Sequence, residues 1–282
     1  TELLDEGVES FAVCLWFSYM NPAHELRAGE IIAELMSERG IDVPVYLSHK
    51  VAPIMREQGR ANTVALHALA VGPGREQLFG IEEKLHSEGY KYPLQIVLSH
   101  GEVANIRYPR LHEGCFSGPI GGLLGARYLA HLLGEENWVC SDMGGTSFDV
   151  GLIRRGEFMM DREVVITRRL FNIPTLVMDT IGAGTGMYVT IEPITDRITL
   201  GPESAGADPG PVCYGRGGEH PGVTDADLLL GYLDAAYFLG GEMALDKEGA
   251  RRAVEEKIAG PLGVPFLQAV WGIHDLINET MA

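Results

Sequence analysis

Positive charge is scarce in this sequence: 22 lysines and arginines stand against 39 aspartates and glutamates, a formal net charge of −17 over 282 residues. A surface of that sign repels a nucleic-acid backbone and anionic lipid headgroups, which excludes both as default partners. A small phosphate-bearing ligand is not excluded, because such sites are built from backbone amides and a divalent cation. Cysteine is also sparse. Cys14, Cys115, Cys140 and Cys213 show no CxxC spacing, so neither a disulfide framework nor a zinc knuckle is indicated, and a reduced, cytoplasmic protein is expected. No apolar run approaches the ~18 residues of a membrane-spanning helix. Residues 1–10 are acidic and lead into a short apolar run, unlike the basic start of a secretion signal. Internal repeats, low-complexity tracts and long linkers are missing too.

What is present suits a substantial core, with 46% hydrophobic residues arranged in one large domain or two closely packed ones, about 1–135 and 136–282. Residues 11–17 are continuously apolar, as in a strand buried on both faces. Asn21-Pro22 opens a helix over 22–39 with an inward stripe of Leu26, Ile31, Ile32, Leu35 and Met36, and Gly40 ends it. Residues 43–48 read as the next strand, giving a parallel strand–helix–strand unit. Helices over 61–70 and 73–88, a strand over 93–99, a helix over 119–133 and a strand over 138–143 continue the alternation. A meander follows, then a hairpin over 189–201 and a mostly helical end. The class is mixed α/β.

The most informative segment is Ser141-Asp142-Met143-Gly144-Gly145-Thr146-Ser147-Phe148-Asp149, between two strands. A glycine pair there lets successive amides converge on an anion without an intervening β-carbon. Thr146 and Ser147 add hydroxyl donors. Asp142 and Asp149 could hold a hydrated Mg2+ or orient a water. By itself the segment reads more readily as a tight hairpin capped by Thr146 and Ser147. A second glycine cluster runs Ile181-Gly182-Ala183-Gly184-Thr185-Gly186-Met187. A third stretch, LGPESAGADPGPVCYGRGG from Leu200, is long and irregular and carries Glu203, Asp208 and Arg216; Thr224 or Asp225 then caps a helix.

These strings resemble those of the hydantoinase/oxoprolinase/acetone carboxylase family. DMGGTSFD is similar to the second phosphate loop of actin-like ATPases, with Phe148 where the family's usual form has threonine. IGAGTG resembles the adenosine loop, and the GPESAGADPGP string is the most family-specific. NPAHELR and SGPIGGLLGA extend the likeness over nearly the whole chain. The resemblance implies an actin-like, ribonuclease H-like ATPase fold with mixed sheets flanked by helices. It implies ATP and Mg2+ as cofactors, with Asp142 and Asp149 catalytic and Asp142 approaching the metal through water. Gly144, Gly145, Thr146, Ser147, Gly182, Ala183, Gly184, Thr185, Gly186 and Glu203 would bind nucleotide. The implied partners are a hydantoinase B-like catalytic subunit, the rest of the same subunit, and a small ketone or cyclic amide.

Within the family, SHGE at 99–102 departs from the SNGG of many hydantoinases. NIRYPRLHEG, TSFD, NIPTLVMDTIGAGTG and YFLGGEMALD look closer to the ATP-binding subunit of the acetone carboxylase branch. The expectation is therefore ATP-driven ketone carboxylation, with cyclic-amide hydrolysis and a non-catalytic actin-like scaffold as the competing readings. His100 is either a general base or ligand, or a loop residue without a role; His24 reads as packed or capping. The family's first phosphate loop, a GGTFTD-like string, is not found here. The chain thus resembles a central domain alone, expected to bind nucleotide weakly and turn over little by itself.

Overall fold

Asn21 and Pro22 start the first long helix as their pairing indicates: Asn21 Oδ1 accepts the Ala23 N–H at 3.1 Å, and the helix runs Ala23–Arg39 to a left-handed Gly40. It connects strands Phe11–Val13 and Val45–Leu47, which pair in parallel, giving the strand–helix–strand unit that its sequence pattern calls for. The structure, a computed structural model describing residues 2–282, shows part of the expected inward face on this helix: Met36 is buried and Ile32 and Leu35 are half-buried, whereas Leu26 and Ile31 are exposed and Glu25 is buried instead. At Gly29 the side chain of Leu47 packs 3.3 Å from an ideal Cβ position.

The first strand is also shorter than the apolar run. It ends at Val13, and Trp16 beyond it is 78% exposed. The cause is a buried polar network that claims the backbone of Leu15. Its N–H donates to Glu25 Oε1 at 2.8 Å, and its carbonyl accepts from Arg60 Nη2 at 2.7 Å. Neither group is left for a strand ladder. Ser48 Oγ joins the two charges, donating to Glu25 at 2.6 Å and accepting from Arg60 Nε at 2.9 Å. His49 adds its amide at 3.1 Å and its ring Nδ1 at 2.7 Å. Burial opposes ionisation of Glu25, yet the bonds from Ser48, His49 and Leu15 outweigh it and hold the carboxyl down at about 2.

The two helices expected over 61–70 and 73–88 are one, Glu57–Ser87, running through Pro73. The proline forfeits one ladder hydrogen bond, but the helix is tied on both sides of it: before it, Asn62 Nδ2 donates to the Leu170 carbonyl at 2.9 Å, and after it, Glu82 Oε1 accepts the Leu94 N–H at 2.8 Å. His67 lies on this helix, buried, with its Nδ1 2.8 Å from Nδ1 of buried His112. Burial pushes His67 down to about 4, with Arg75 adding to it. Burial, then His67 and Arg110, take His112 to about 3. The alternation with parallel strands stops after this helix: Gln95–Val97 pairs antiparallel with Val103–Asn105.

Two compact units emerge, Thr1–Trp138 with Leu152–Val177, and Val139–Gly151 with Met178–Ala282. The division therefore differs from a single cut near residue 135. The meander goes with the first unit because Asn62 Nδ2 donates to the Leu170 carbonyl at 2.9 Å and the Asn172 N–H to Thr63 Oγ1 at 2.8 Å. In the second unit the hairpin Met187–Glu192/Arg197–Ser204 is covered by helices Val223–Leu230 and Phe266–Met281, around a core that includes Val189, Val223, Val254, Val270 and Ile273. Sheets are small: the Phe11–Val13/Val45–Leu47 pair is parallel, whereas the Gln95–Val97/Val103–Asn105, Phe148–Arg154/Met178–Ile181 and Met187–Glu192/Arg197–Ser204 pairs are antiparallel. Among the described residues no helix is long and apolar enough to cross a membrane.

Candidate functional site

The glycine pair lies in the second unit, between strands Trp138–Met143 and Phe148–Arg154. Met143 and Phe148, the residues on either side of the turn, pack against the core. Phe148 thus supplies an apolar anchor where the family's usual threonine would supply a hydroxyl. Between these anchors the turn closes with a Gly144 N–H to Ser147 carbonyl bond of 2.9 Å, whereas the N–H groups of Gly145, Thr146 and Ser147 have no partner among the described residues. Gly144, Gly145 and Thr146 are exposed. No atom lies within 4 Å of where a Gly145 side chain would begin. Consecutive amides without a protein partner, on a turn whose Gly144, Gly145 and Thr146 are exposed, are the elements of an anion cradle.

The second glycine cluster is brought directly under this turn. Thr185 N–H donates to the Gly144 carbonyl at 3.0 Å, and Gly186 N–H to the Gly145 carbonyl at 2.7 Å. A Cβ on Gly184 would fall 2.3 Å from Thr146 N and 2.4 Å from Gly145 C and O. Backbone meets backbone there, which only glycine permits. Ala183 is fully buried in the core and its amide bonds to the Ile181 carbonyl. In this cluster the amides of Ala183, Thr185 and Gly186 are thus used internally, and Gly182 remains exposed.

The two aspartates differ. Asp149 is half-buried and fixed: its Oδ1 accepts from Thr180 Oγ1 at 2.6 Å and its Oδ2 from Ser147 Oγ at 3.4 Å. Thr180 reaches it because Met178–Ile181 pairs antiparallel with this strand, Thr180 opposite Asp149. The Asp142 side chain is exposed and makes no hydrogen bond among the described residues. Glu203 is exposed at the end of its strand; its neighbour Ser204 is the residue that touches the turn, Oγ donating to the Gly145 carbonyl at 3.3 Å. Ser204 and Thr180 carry no local signal, because their contacts depend on strand register. Among the described residues no three His, Cys, Asp or Glu side chains converge as a metal cage.

The irregular stretch after Ser204 is tied in by Asp225. The helix Val223–Leu230 begins after Gly222, so neither Thr224 nor Asp225 occupies the capping position. Instead the fully buried Asp225 carboxylate accepts the Gly222 N–H at 2.8 Å and the Cys213 N–H at 2.7 Å. Burial pushes this carboxyl above its ordinary range, and the two amide bonds act against that. Thr224 donates through both N–H and Oγ1 to the Thr185 carbonyl, at 2.9 and 2.8 Å, linking this helix to the glycine cluster. Asp225→Ala leaves two buried donors unpaired and is expected to lower stability by about 2–4 kcal/mol. Urea denaturation measures it, and a loss below about 1 kcal/mol would mean that the stretch is held some other way.

The architecture is thus a mixed α/β protein in which one glycine turn presents open amides while a second braces it from beneath. The chain belongs to the hydantoinase/oxoprolinase family, whose model matches residues 60–282, while the model of that family's N-terminal region matches residues 1–36. It is 36% identical to the acetone carboxylase beta subunit of Xanthobacter autotrophicus, over 99% of this chain and 39% of that protein. It is 37% identical to the acetophenone carboxylase gamma subunit of Aromatoleum aromaticum, over 99% of this chain and 38% of that one. Among solved structures, nucleotide-free acetone carboxylase matches with a TM-score of 0.90 at 35% identity, covering 99% of this chain and 39% of that one. The ATP-dependent caprolactamase of Pseudomonas jessenii matches with 0.74 at 32% identity, covering 99% and 40%. The chain therefore spans about two fifths of the length of these relatives.

Proposed function

We propose that this chain is the nucleotide-handling part of an ATP-dependent ketone carboxylase subunit with an actin-like ATPase fold. The observation that carries the reading is the turn at Gly144–Ser147, whose amides at Gly145, Thr146 and Ser147 stand open while Gly184 and Gly186 lock it from below. Such a turn suits the terminal phosphates of ATP: backbone donors held in place without ligand need no reorganisation when charge develops in phosphoryl transfer. The hydroxyls of Thr146 and Ser147 add donors, Asp149 positions the nucleophile's side of the reaction, and Gly182 with Thr185 borders the nucleoside. Glu203 is assigned to the ribose. Mg2+ would arrive on the triphosphate and meet Asp142 through water, an arrangement that requires one or two carboxylates and no protein cage. Bound there, the ion would neutralise the phosphate charge.

The ketone branch is favoured over cyclic-amide hydrolysis by the closer structural match, TM-score 0.90 against 0.74. Partners on this reading are the remainder of the subunit, a hydantoinase B-like catalytic subunit and a small ketone, in a cytoplasmic assembly. MgATP at ~100 times its dissociation constant is expected to add about 2.7 kcal/mol of stability, raising the melting temperature by roughly 5–10 °C at this size. In Asp142→Ala the shift with MgATP should shrink towards that seen with ATP in chelator. A full shift in that variant removes Asp142 from the metal's path, and no shift with the unmodified protein favours a non-catalytic scaffold. With the partner subunits present, ATP consumption should depend on added ketone; dependence on a lactam instead would transfer the protein to the amide branch.

A further inference from the structure

The strand Phe11–Val13 has one unused edge. Its sheet has two strands, and it pairs on one side only, with Val45–Leu47. Phe11 N–H donates to the Pro44 carbonyl at 2.8 Å. Successive residues of a strand turn their backbone groups to opposite sides, so Phe11 and Val13 face the partner strand while Ala12 points its N–H and C=O away from it. Among the described residues no hydrogen bond reaches either Ala12 group from that side, and Ala12 is exposed.

An apolar groove of about 410 Å3 runs along this edge. Every residue from 11 to 15 lines it, and successive side chains of a strand point to opposite faces. A groove that touches all of them follows the rim of the strand and is not a pit in one face. Leu3 and Leu4 of the short helix Glu2–Asp5, with Ile32 and Leu35 of the first long helix, complete a lining that contains no charged side chain. Leu3 is 54% exposed. Natural edge strands are blunted by a lysine, a proline, a bulge or a covering element. Residues 11–15 carry neither lysine nor proline, so this rim is a surface for pairing.

The location of the groove selects its occupant. All nine lining residues fall within 1–36, the part matched by the model of the family's N-terminal region. The chain itself spans 39% of the acetone carboxylase beta subunit that it matches over 99% of its own length. The groove is thus a surface of the N-terminal region. A second copy of the chain is the competing occupant, and charge disfavours it: each copy carries −17, and exposed Glu2, Glu6 and Glu9 adjoin the lining residues in sequence. We propose that the free edge of Phe11–Val13 and its groove receive an apolar β-strand from the remainder of the same subunit's N-terminal region, anchored on the Ala12 N–H and C=O. The main-chain bonds supply affinity, and the apolar surface of Leu3, Leu4, Ile32 and Leu35 selects the segment. The proposal rests on the part of the functional reading that makes this chain one piece of a longer subunit, and it is independent of the glycine turn.

The test compares the 282-residue chain with the subunit at the full length of its relatives, by hydrogen exchange read at single amides. The Ala12 amide is expected to exchange freely in the chain and about 100-fold more slowly in the full-length subunit. Phe11, bonded to Pro44 in both, serves as the internal standard. Leu3→Asp, at a position already open to water, should leave the chain's melting temperature within about 2 °C and return Ala12 of the full-length subunit towards free exchange. Ala12→Pro deletes the donor on an edge that tolerates proline. It should make Cys14, which lines the groove, as open to iodoacetamide in the full-length subunit as in the chain. Equal exchange at Ala12 in the two lengths overturns the proposal, as does protection that survives Leu3→Asp. So does an Ala12 already protected in the 282-residue chain, and light scattering then shows whether a second copy covers the edge. MgATP melting shifts of the chain report the glycine turn separately: the edge can prove unpaired while nucleotide binds, and a paired edge with no nucleotide shift would sink the nucleotide reading alone.

Discussion

Gly145→Ala is expected to leave folding intact and weaken MgATP at least 10-fold, whereas Gly184→Ala is expected to damage both. The two glycines lie on facing turns, but only one has room. At Gly145 an added methyl meets no atom within 4 Å, so stability should hold within ~0.5 kcal/mol while the methyl stands over the open amides. At Gly184 the methyl would sit 2.3 Å from Thr146 N and 2.4 Å from Gly145 C and O. Those are backbone atoms and cannot rotate aside. The turns must separate, straining or breaking the bonds from Thr185 N–H and Gly186 N–H to the Gly144 and Gly145 carbonyls. Overpacking of about 1–3 kcal/mol and two lost hydrogen bonds at about 0.5–1.5 kcal/mol each predict a loss of roughly 2–6 kcal/mol. Chemical denaturation and nucleotide titration separate the effects. Normal MgATP affinity in a folded Gly145→Ala protein would show that the phosphates are not held at this turn.

The second large effect concerns acid and the buried charges of the first unit. Glu25 is held at about 2, below its ordinary 4.5, so the unfolded chain takes up its proton first. The stabilisation is complete above 4.5 and is lost as pH falls from there towards 2. His67 and His112 act in a higher window. Their folded values, about 4 and about 3, lie below the ordinary 6.5; the unfolded chain binds these protons while the folded chain resists them, so stability falls as pH drops from 6.5 towards 4 and beyond. Melting temperature against pH should therefore decline in two overlapping stages. Glu25→Gln should shrink the lower stage and spare the upper one; what remains of the lower stage belongs to Glu82, which Arg107 and the Leu94 amide also hold at about 2. Glu25→Ala should cost about 3–5 kcal/mol at neutral pH, since Ser48, the His49 amide and ring, and the Leu15 amide lose their acceptor. A Glu25→Ala protein as stable as the parent would show that the network is incidental to folding.

That network also explains where the sequence misleads. Residues 11–17 read as a strand because hydrophobicity is a local property, yet the strand stops where Glu25 and Arg60 take the backbone of Leu15. The first helix turned a carboxylate inward for the same reason: Glu25 was worth burying only because Ser48, His49 and Leu15 converge on it from other elements. Pro73 marked a boundary on local grounds, and hydrogen bonds from both halves of the helix overrode it. The Gly40 cap, the parallel first unit and the 187–204 hairpin were legible, each resting on contacts between chain neighbours or on a strong repeat of apolar residues.

By itself the sequence determined the family, the mixed α/β class and the two glycine clusters, because backbone freedom and motif spacing are written residue by residue. Only the tertiary structure decided what each cluster does. Gly144–Ser147 keeps its amides open because Met143 and Phe148 pin its ends to the core, and Gly182–Gly186 becomes the brace because strand pairing carries it beneath that turn. The positions of Thr180, Ser204 and Asp225 belong to the same class of fact. Their partners lie between 12 and 59 residues away along the chain, and hydrogen bonds across such separations exist only once register and packing have brought the groups together.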